Sequence, residues 1–214
     1  MIPLKLMQFW DTSTVPDDIQ PLLLSWQKLN LEFEYTLFNR EQAETFLVEN
    51  FNDDVVMAFK MSRFPAMASD IFRIAWCYVE GGVYIDAATR CLKPIQSWIT
   101  PETPLVLMRK WHGAVWNGFI ATEPKSAHLK VILDKIIENV HSQNSEDIWS
   151  TTGPGVLKEH LPKDAHDIKI IPQIDLKENF QLIGDLSHKK NNHWSEAQKK
   201  ETIYIQNSEK LTKS

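Results

Sequence analysis

Residues 68–94 read ASDIFRIAWCYVEGGVYIDAATRCLKP. The first half is apolar almost all round a helix, through Ile71, Phe72, Ile74, Trp76, Tyr78 and Val79, the pattern of a helix buried on most of its surface. Gly81-Gly82 stops that helix, and Val83-Tyr84-Ile85 is the short run of a buried strand. Helix, double glycine and strand together predict a compact α/β unit. Asp70 and Arg73 interrupt the apolar helix, and at i and i+3 they share one face. Desolvating ions is costly unless they find partners, so the two either pair at the helix rim or point toward a polar ligand. Asp86 follows the strand, where ligands of open α/β sheets gather, although a lone Asp there also suits a turn or cap.

Outward from this unit the pattern stays α/β. A first strand is expected within Pro3–Trp10, and a helix from the spacing of Ile19, Leu22, Leu23 and Trp26. Residues Glu32–Phe38 alternate as a second strand. Helices are expected over Arg40–Asn50 and Val55–Met61, with Asn52-Asp53-Asp54 as a capping turn. Strands follow at Leu105–Arg109 and Gly118–Ala121, then a helix over Ser126–Val140 and a short helical run at Val156–His160. Ile168–Ile171 and Thr202–Ile205 read as the last strands. Asn117-Gly118 favours a tight turn, and Gly153-Pro154-Gly155 reads mainly as another. The expected architecture is one α/β domain over residues 1–207, with a flexible tail over 208–214.

The chain has 214 residues, 43% of them hydrophobic and 24% charged, with a net charge of −5. That is globular composition, and it lacks the basic surplus that nucleic-acid phosphates call for. No apolar run is long enough for a transmembrane helix, and the opening MIPLKLMQFWD has no secretory pattern. Two cysteines, Cys77 and Cys91, build no disulfide framework. A cytoplasmic chain with reduced thiols is the expectation, with room for peripheral association at the inner face of a membrane. The histidines form no H-x-x-x-H pair, and neither a serine-hydrolase elbow nor a phosphate-binding glycine loop occurs. Eight tryptophans stand out, since indoles serve as stacking platforms as well as core.

SDIFR followed by EGGVYIDAATRCLKP resembles the core signature of the DXD-motif sugar transferases, glycosyltransferase family 32. IPLKLMQFW is similar to the family's opening strand, and SWQKLNLEFEYTLFN, WNGFIATEPKSAHL and TTGPGVL resemble further segments. The resemblance spans about Ile2 to Leu157. It implies a GT-A fold, with a mixed, mostly parallel sheet flanked by helices. It also implies a retaining hexosyltransferase that takes a hexose or N-acetylhexosamine from a nucleoside-diphosphate donor, UDP-linked by expectation. The acceptor would be a saccharide or lipid-linked saccharide, in a setting such as surface-polysaccharide synthesis. Carried over by position, Trp10 would stack on the base beside Gln8, Asp70 would hold ribose or sugar hydroxyls, and Arg73 would contact sugar or phosphate. Asn117 would lie beside the donor sugar, and Asp86 would be the first Asp of the metal-and-sugar motif. Asp86, Arg73 and Asp70 are thus the candidate catalytic groups; a core role for Trp10 stays open.

The motif departs from Asp-x-Asp, reading Asp86-Ala87-Ala88, and Ala88 offers no oxygen to Mn²⁺ or Mg²⁺. Three readings remain. Asp86 and a late ligand, His193, could hold the ion with the diphosphate; fixed cations drawn from Arg73, Arg90 and Lys93 could replace it; or the chain binds nucleotide sugar without catalysis. A transferase that modifies a host protein is a further alternative. All of them require Trp10, Asp70, Arg73 and Asp86 to converge around one pocket.

Overall fold

Among the residues described by the computed structural model (1–100, 102–110, 113–162, 164–187 and 194–205), six strands build one central sheet. Across it they run β2 (Glu34–Phe38), β1 (Lys5–Phe9), β3 (Gly82–Ile85), β6 (Val115–Thr122), β5 (Leu105–Arg109) and β7 (Ile168–Pro172). The pairs β1–β2, β1–β3 and β5–β7 are parallel, and only β6 opposes its neighbours. The mixed, mostly parallel sheet is as expected.

Period-2 alternation divides each strand between two cores. On one face, Met7, Phe9, Tyr84 and Ile120 join α2 (Arg40–Asn50), α3 (Asp53–Met61), α4 (Pro65–Glu80), α5 (Ala127–Ser142) and α7 (Pro154–His160). On the other, Leu6, Val83, Ile85, Phe119 and Ala121 join Trp26 of α1 (Gln20–Leu29) and Phe180. Phe180 opens β8 (Phe180–Leu182), which pairs with β4 (Thr89–Cys91) in a small separate sheet. Two four-residue helices also lie among the described residues, α6 (Ile148–Thr151) and α8 (Trp194–Ala197).

The helix–glycine–strand unit forms as its sequence dictates. Pro65 sits in the first turn of α4, where its missing N–H costs nothing, and Met67 to Cys77 are buried without a break. Gly81 and Gly82 adopt φ of +67° and +90°, open to glycine at little cost, and a Cβ on Gly82 would press on the Lys5 carbonyl of β1. Both cysteines are free and buried.

Three local expectations are corrected. Asn117-Gly118 is not a turn but lies inside β6, where pairing with β5 skips from Ile120 to Trp116. A register irregularity uses the dipeptide here. Thr202–Ile205 is not a strand; Tyr204 makes one isolated bridge to Ser62. Gly153-Pro154-Gly155 is not a turn but the N-cap and first two residues of α7. The 3-residue strands β4 and β8, too short to show a period, are not among the expected strands and pair across about ninety residues of chain. The tail expected over 208–214 lies outside the described residues. No helix among the described residues is long and apolar enough to cross a membrane.

Candidate functional site

A cavity of about 630 Å³ opens beyond the carboxyl ends of β1 and β3. Its walls come from four segments: Phe9 to Thr12 after β1, Arg63 to Arg73 at the start of α4, Tyr84 to Ala88 around the end of β3, and Trp194, Ala197 and Glu201 near the C-terminal end. A strand end beside a parallel neighbour is where open α/β sheets place ligands.

Asp86 is anchored by its backbone. Its N–H donates to the Gly118 carbonyl at 2.9 Å, and its own carbonyl accepts from Thr89 Oγ1 at 2.5 Å and Gln8 Nε2 at 3.4 Å. Its side chain, 31% exposed, reaches the cavity and accepts the Tyr84 hydroxyl at 2.6 Å and Arg73 Nη1 at 3.1 Å on Oδ1. Gly118 makes room: a Cβ there would overlap Asp86 Oδ2 and the Trp116 ring.

Arg73 is the hub of the site. Nε donates to the Ser69 carbonyl at 3.0 Å, Nη1 to the Asn117 carbonyl at 3.0 Å, and Nη2 to Ser69 Oγ at 2.7 Å. The guanidinium lies 4.6 Å from the Tyr84 ring centre and contacts both Asp86 and Asp70. Burial alone would lower its pKa, but Asp86, Tyr84 and Asp70 outweigh that and raise it, so the cation is fixed. Burial raises the Tyr84 phenol as well, which keeps it a neutral donor. Asp70 and Arg73 are therefore not a rim pair: both are buried, at 6% exposure.

Asp70 lies behind Arg73 and is not among the side chains lining the cavity. Its Oδ1 accepts Asn117 Nδ2 at 2.7 Å, and its Oδ2 accepts Thr152 Oγ1 at 3.1 Å. Burial pushes its pKa up to about 6, partly offset by Arg73, Asn117 and Thr152. In this arrangement Asp70 orients Arg73 and does not face the cavity. Asn117, expected at the donor sugar, spends its amide on Asp70. Gln8, expected at the nucleotide, is fully buried, with its Oε1 taken by Tyr35 at 3.0 Å. The alternation explains this, since Gln8 shares its strand face with Leu6, opposite the face of Phe9, Tyr84 and the cavity.

Trp10 does line the cavity, on a loop held by Arg40. Arg40 Nε pairs with Asp11 Oδ1 at 2.7 Å, and Nη1 donates to the Ser62 carbonyl at 3.2 Å. One side chain thus links the Trp10 wall to the segment entering α4. Arg90 and Lys93 are exposed and outside the cavity, and Lys93 pairs with Glu178 at 3.4 Å. Of the expected residues, the cavity brings together Trp10, Arg73 and Asp86. Sequence reasoning missed Tyr84, Arg63, Thr152, Trp194 and Glu201. Only Tyr84 carried a signal, lying two positions before Asp86 and so on the same strand face.

The residues present do not fit a metal held by the protein. Ala88 turns a methyl to the cavity where the motif's second carboxylate would stand. On the remaining carboxylate, Oδ1 already accepts a phenol and a guanidinium, so a dication there would meet a fixed positive charge. Among the described residues no three His, Cys, Asp or Glu side chains gather to hold an ion. His193, the expected late ligand, lies outside the described residues.

Residues 16–104 match the family model described as the glycosyltransferase sugar-binding region containing the DXD motif. An initiation-specific alpha-1,6-mannosyltransferase of Schizosaccharomyces pombe is 25% identical, covering 83% of this chain and 54% of that protein. Inositol phosphoceramide mannosyltransferase 2 of the same yeast is also 25% identical, covering 66% of this chain and 40% of its own. The chain thus spans about half the length of the curated relatives it matches. Among solved structures, the PaToxG glycosyltransferase superposes with a TM-score of 0.58 at 18% identity, over 75% of this chain and 69% of that one. The shared fold is GT-A.

Proposed function

We propose that this chain, a member of the DXD-motif glycosyltransferase family by its residues 16–104, transfers a hexose from a nucleoside-diphosphate sugar to a saccharide acceptor with retention of configuration. The observation that carries the reading is the cavity at the ends of β1 and β3, whose lining includes the Trp10 indole, the Arg73 guanidinium and the Asp86 carboxylate. Trp10 offers a π face for a nucleobase. Arg73 supplies positive charge for phosphate or sugar oxygens, and Asp86 supplies an acceptor for sugar hydroxyls. Mannose is the hexose carried in the names of the yeast relatives.

The chemistry asked of these groups is electrostatic and positional. The bond from the anomeric carbon to the diphosphate oxygen breaks, and its electron pair leaves with the diphosphate. Positive charge spreads over the sugar ring, where Asp86, the cavity carboxylate that directly follows β3, stabilises it. The acceptor hydroxyl attacks on the face the diphosphate vacates, and its proton passes to a departing phosphate oxygen. No protein nucleophile is required. Tyr84 and Asp70 keep Asp86 and Arg73 in place while this happens.

A thermal-shift panel of UDP-, GDP- and CMP-sugars tests the reading, because a ligand that binds the native state raises its melting temperature by mass action. One class of donor should shift the transition and be slowly hydrolysed when no acceptor is present. Binding without hydrolysis or transfer would instead favour a silent nucleotide-sugar-binding subunit, the reading that Ala88 supports.

A further inference from the structure

We infer that Ser69 is a positioning residue for the reaction: its hydroxyl carries a one-way hydrogen-bond circuit, from Arg73 through Ser69 and Tyr84 to Asp86. The circuit commits Asp86 Oδ1 to the protein and leaves Oδ2 as the oxygen for a ligand hydroxyl. The inference deepens the donor-site reading above and rests on it.

The direction of each bond follows from the protons its partners own. A guanidinium has no acceptor, so Arg73 Nη2 donates to Ser69 Oγ at 2.7 Å. An ionised carboxylate has no donor, so the single proton of the Tyr84 hydroxyl goes to Asp86 Oδ1 at 2.6 Å. Ser69 Oγ and Tyr84 Oη lie 3.1 Å apart, a contact that distance alone leaves open to either donor. With the phenol proton spent on Asp86, the serine donates here with the one proton it has. Arg73 Nη1 closes the circuit, donating to the same Oδ1 at 3.1 Å. Two donors thus converge on one carboxylate oxygen, and Oδ2 accepts no hydrogen bond among the described residues.

Local sequence builds the circuit. Ser69 and Arg73 stand one turn apart on α4, and Tyr84 and Asp86 two positions apart on β3 and its extension. Ser69 lines the cavity but is buried, as is Tyr84, so water competes little for these bonds. In such surroundings each bond polarises the next, and donation into the phenol oxygen makes its O–H a stronger donor to Asp86. The remaining N–H groups of Arg73 go to the Ser69 and Asn117 carbonyls and to Asp70. The guanidinium therefore offers a ligand its charge and no free N–H. The effect of Ser69 on the reaction passes through Tyr84 to Asp86.

A double-mutant cycle and an infrared spectrum test this. In hydrolysis of UDP-glucose, UDP-N-acetylglucosamine and GDP-mannose, Ser69→Ala should lower kcat about three- to tenfold, the scale of one hydrogen bond, with KM changed little. Because Ser69 works through Tyr84, adding Ser69→Ala to Tyr84→Phe should cost less than about twofold more. Ser69→Thr and Ser69→Val, alike in shape, separate the hydroxyl from packing: the threonine variant should keep most of the rate and the valine variant lose it. The C–O stretch of isotope-labelled tyrosine, read as native minus variant, should move in Ser69→Val and stay in Ser69→Thr. Losses that multiply in the double variant, or a tyrosine band unmoved in a folded Ser69→Val, overturn the inference alone. Hydrolysis of none of the donors by a native chain whose band behaves as expected overturns the donor-site reading, while the circuit stands.

Discussion

Tyr84 and Asp86, two residues apart on one face of β3 and its extension, are joined by a 2.6 Å hydrogen bond from the phenol to Oδ1. That bond, with the Arg73 Nη1 contact at 3.1 Å on the same oxygen, fixes the carboxylate at the cavity wall. A hydrogen bond to a charged group is worth roughly 1.5–3 kcal/mol. Tyr84→Phe should therefore lower transfer by about tenfold or more while the fold persists. Steady-state rates with circular dichroism check this; an unchanged rate would show that Asp86 needs no tether.

Asp86→Ala should remove transfer to at most about one part in 10² to 10³, the scale lost with a transition-state electrostatic group. Arg73 keeps Asp70, Ser69 and the Asn117 carbonyl, so the melting temperature should move by less than about 4 °C. Near-normal turnover would refute the site assignment.

Gly118→Ala tests space and not backbone freedom, because the new methyl would meet Asp86 Oδ2 and the Trp116 ring. Overpacking of this kind costs about 1–3 kcal/mol. Stability and transfer should fall together, in contrast to Asp86→Ala, and chemical denaturation beside an activity assay separates the two cases.

Trp10→Ala should weaken donor binding by about 1–3 kcal/mol if the indole stacks on the base. The loss should be the same for the free nucleoside and for the sugar donor. Calorimetry on both ligands is the check, and a loss confined to the sugar donor would move Trp10 away from the base.

Asp70 predicts a pH slope. Its carboxyl is raised from 3.8 to about 6 in the folded chain, so between those values the native state holds a proton that the unfolded state has released. This contribution to stability is complete below about pH 4, declines as pH rises to about 6, and changes little above. Asp70→Asn keeps the shape of the protonated acid and loses the slope. Urea unfolding from pH 4 to 7 should show the native chain losing ground to the variant up to about pH 6 and holding level beyond it. A constant difference across that range would contradict the burial argument.

Local signals made much of this protein legible. The unbroken apolar surface of α4, the positive φ of Gly81 and Gly82, and the alternation of Val83, Tyr84 and Ile85 all follow from neighbours within a few residues. Those signals located helix, strand and the position of Asp86 without reference to the rest of the chain. Helix α2 likewise begins where Asn39 and Gln42 form a capping box. The loss of the second motif carboxylate at Ala88 is a fact of sequence alone.

Which side chains face the cavity was decided elsewhere. Gln8 falls on the wrong face because pairing of β1 with β2 and β3 fixes its parity. Asn117 turns to Asp70 where β6 slips against β5, and Thr152 reaches the same carboxylate from eighty-two residues away. Arg63 and Arg73 share a cavity because α3 and α4 close against the same sheet face, whereas Arg90 and Lys93, nearer in sequence, point elsewhere. A residue's propensity and period are properties of its own segment. Its orientation toward a ligand is a property of register and packing between segments, which only the assembled sheet and helices can set.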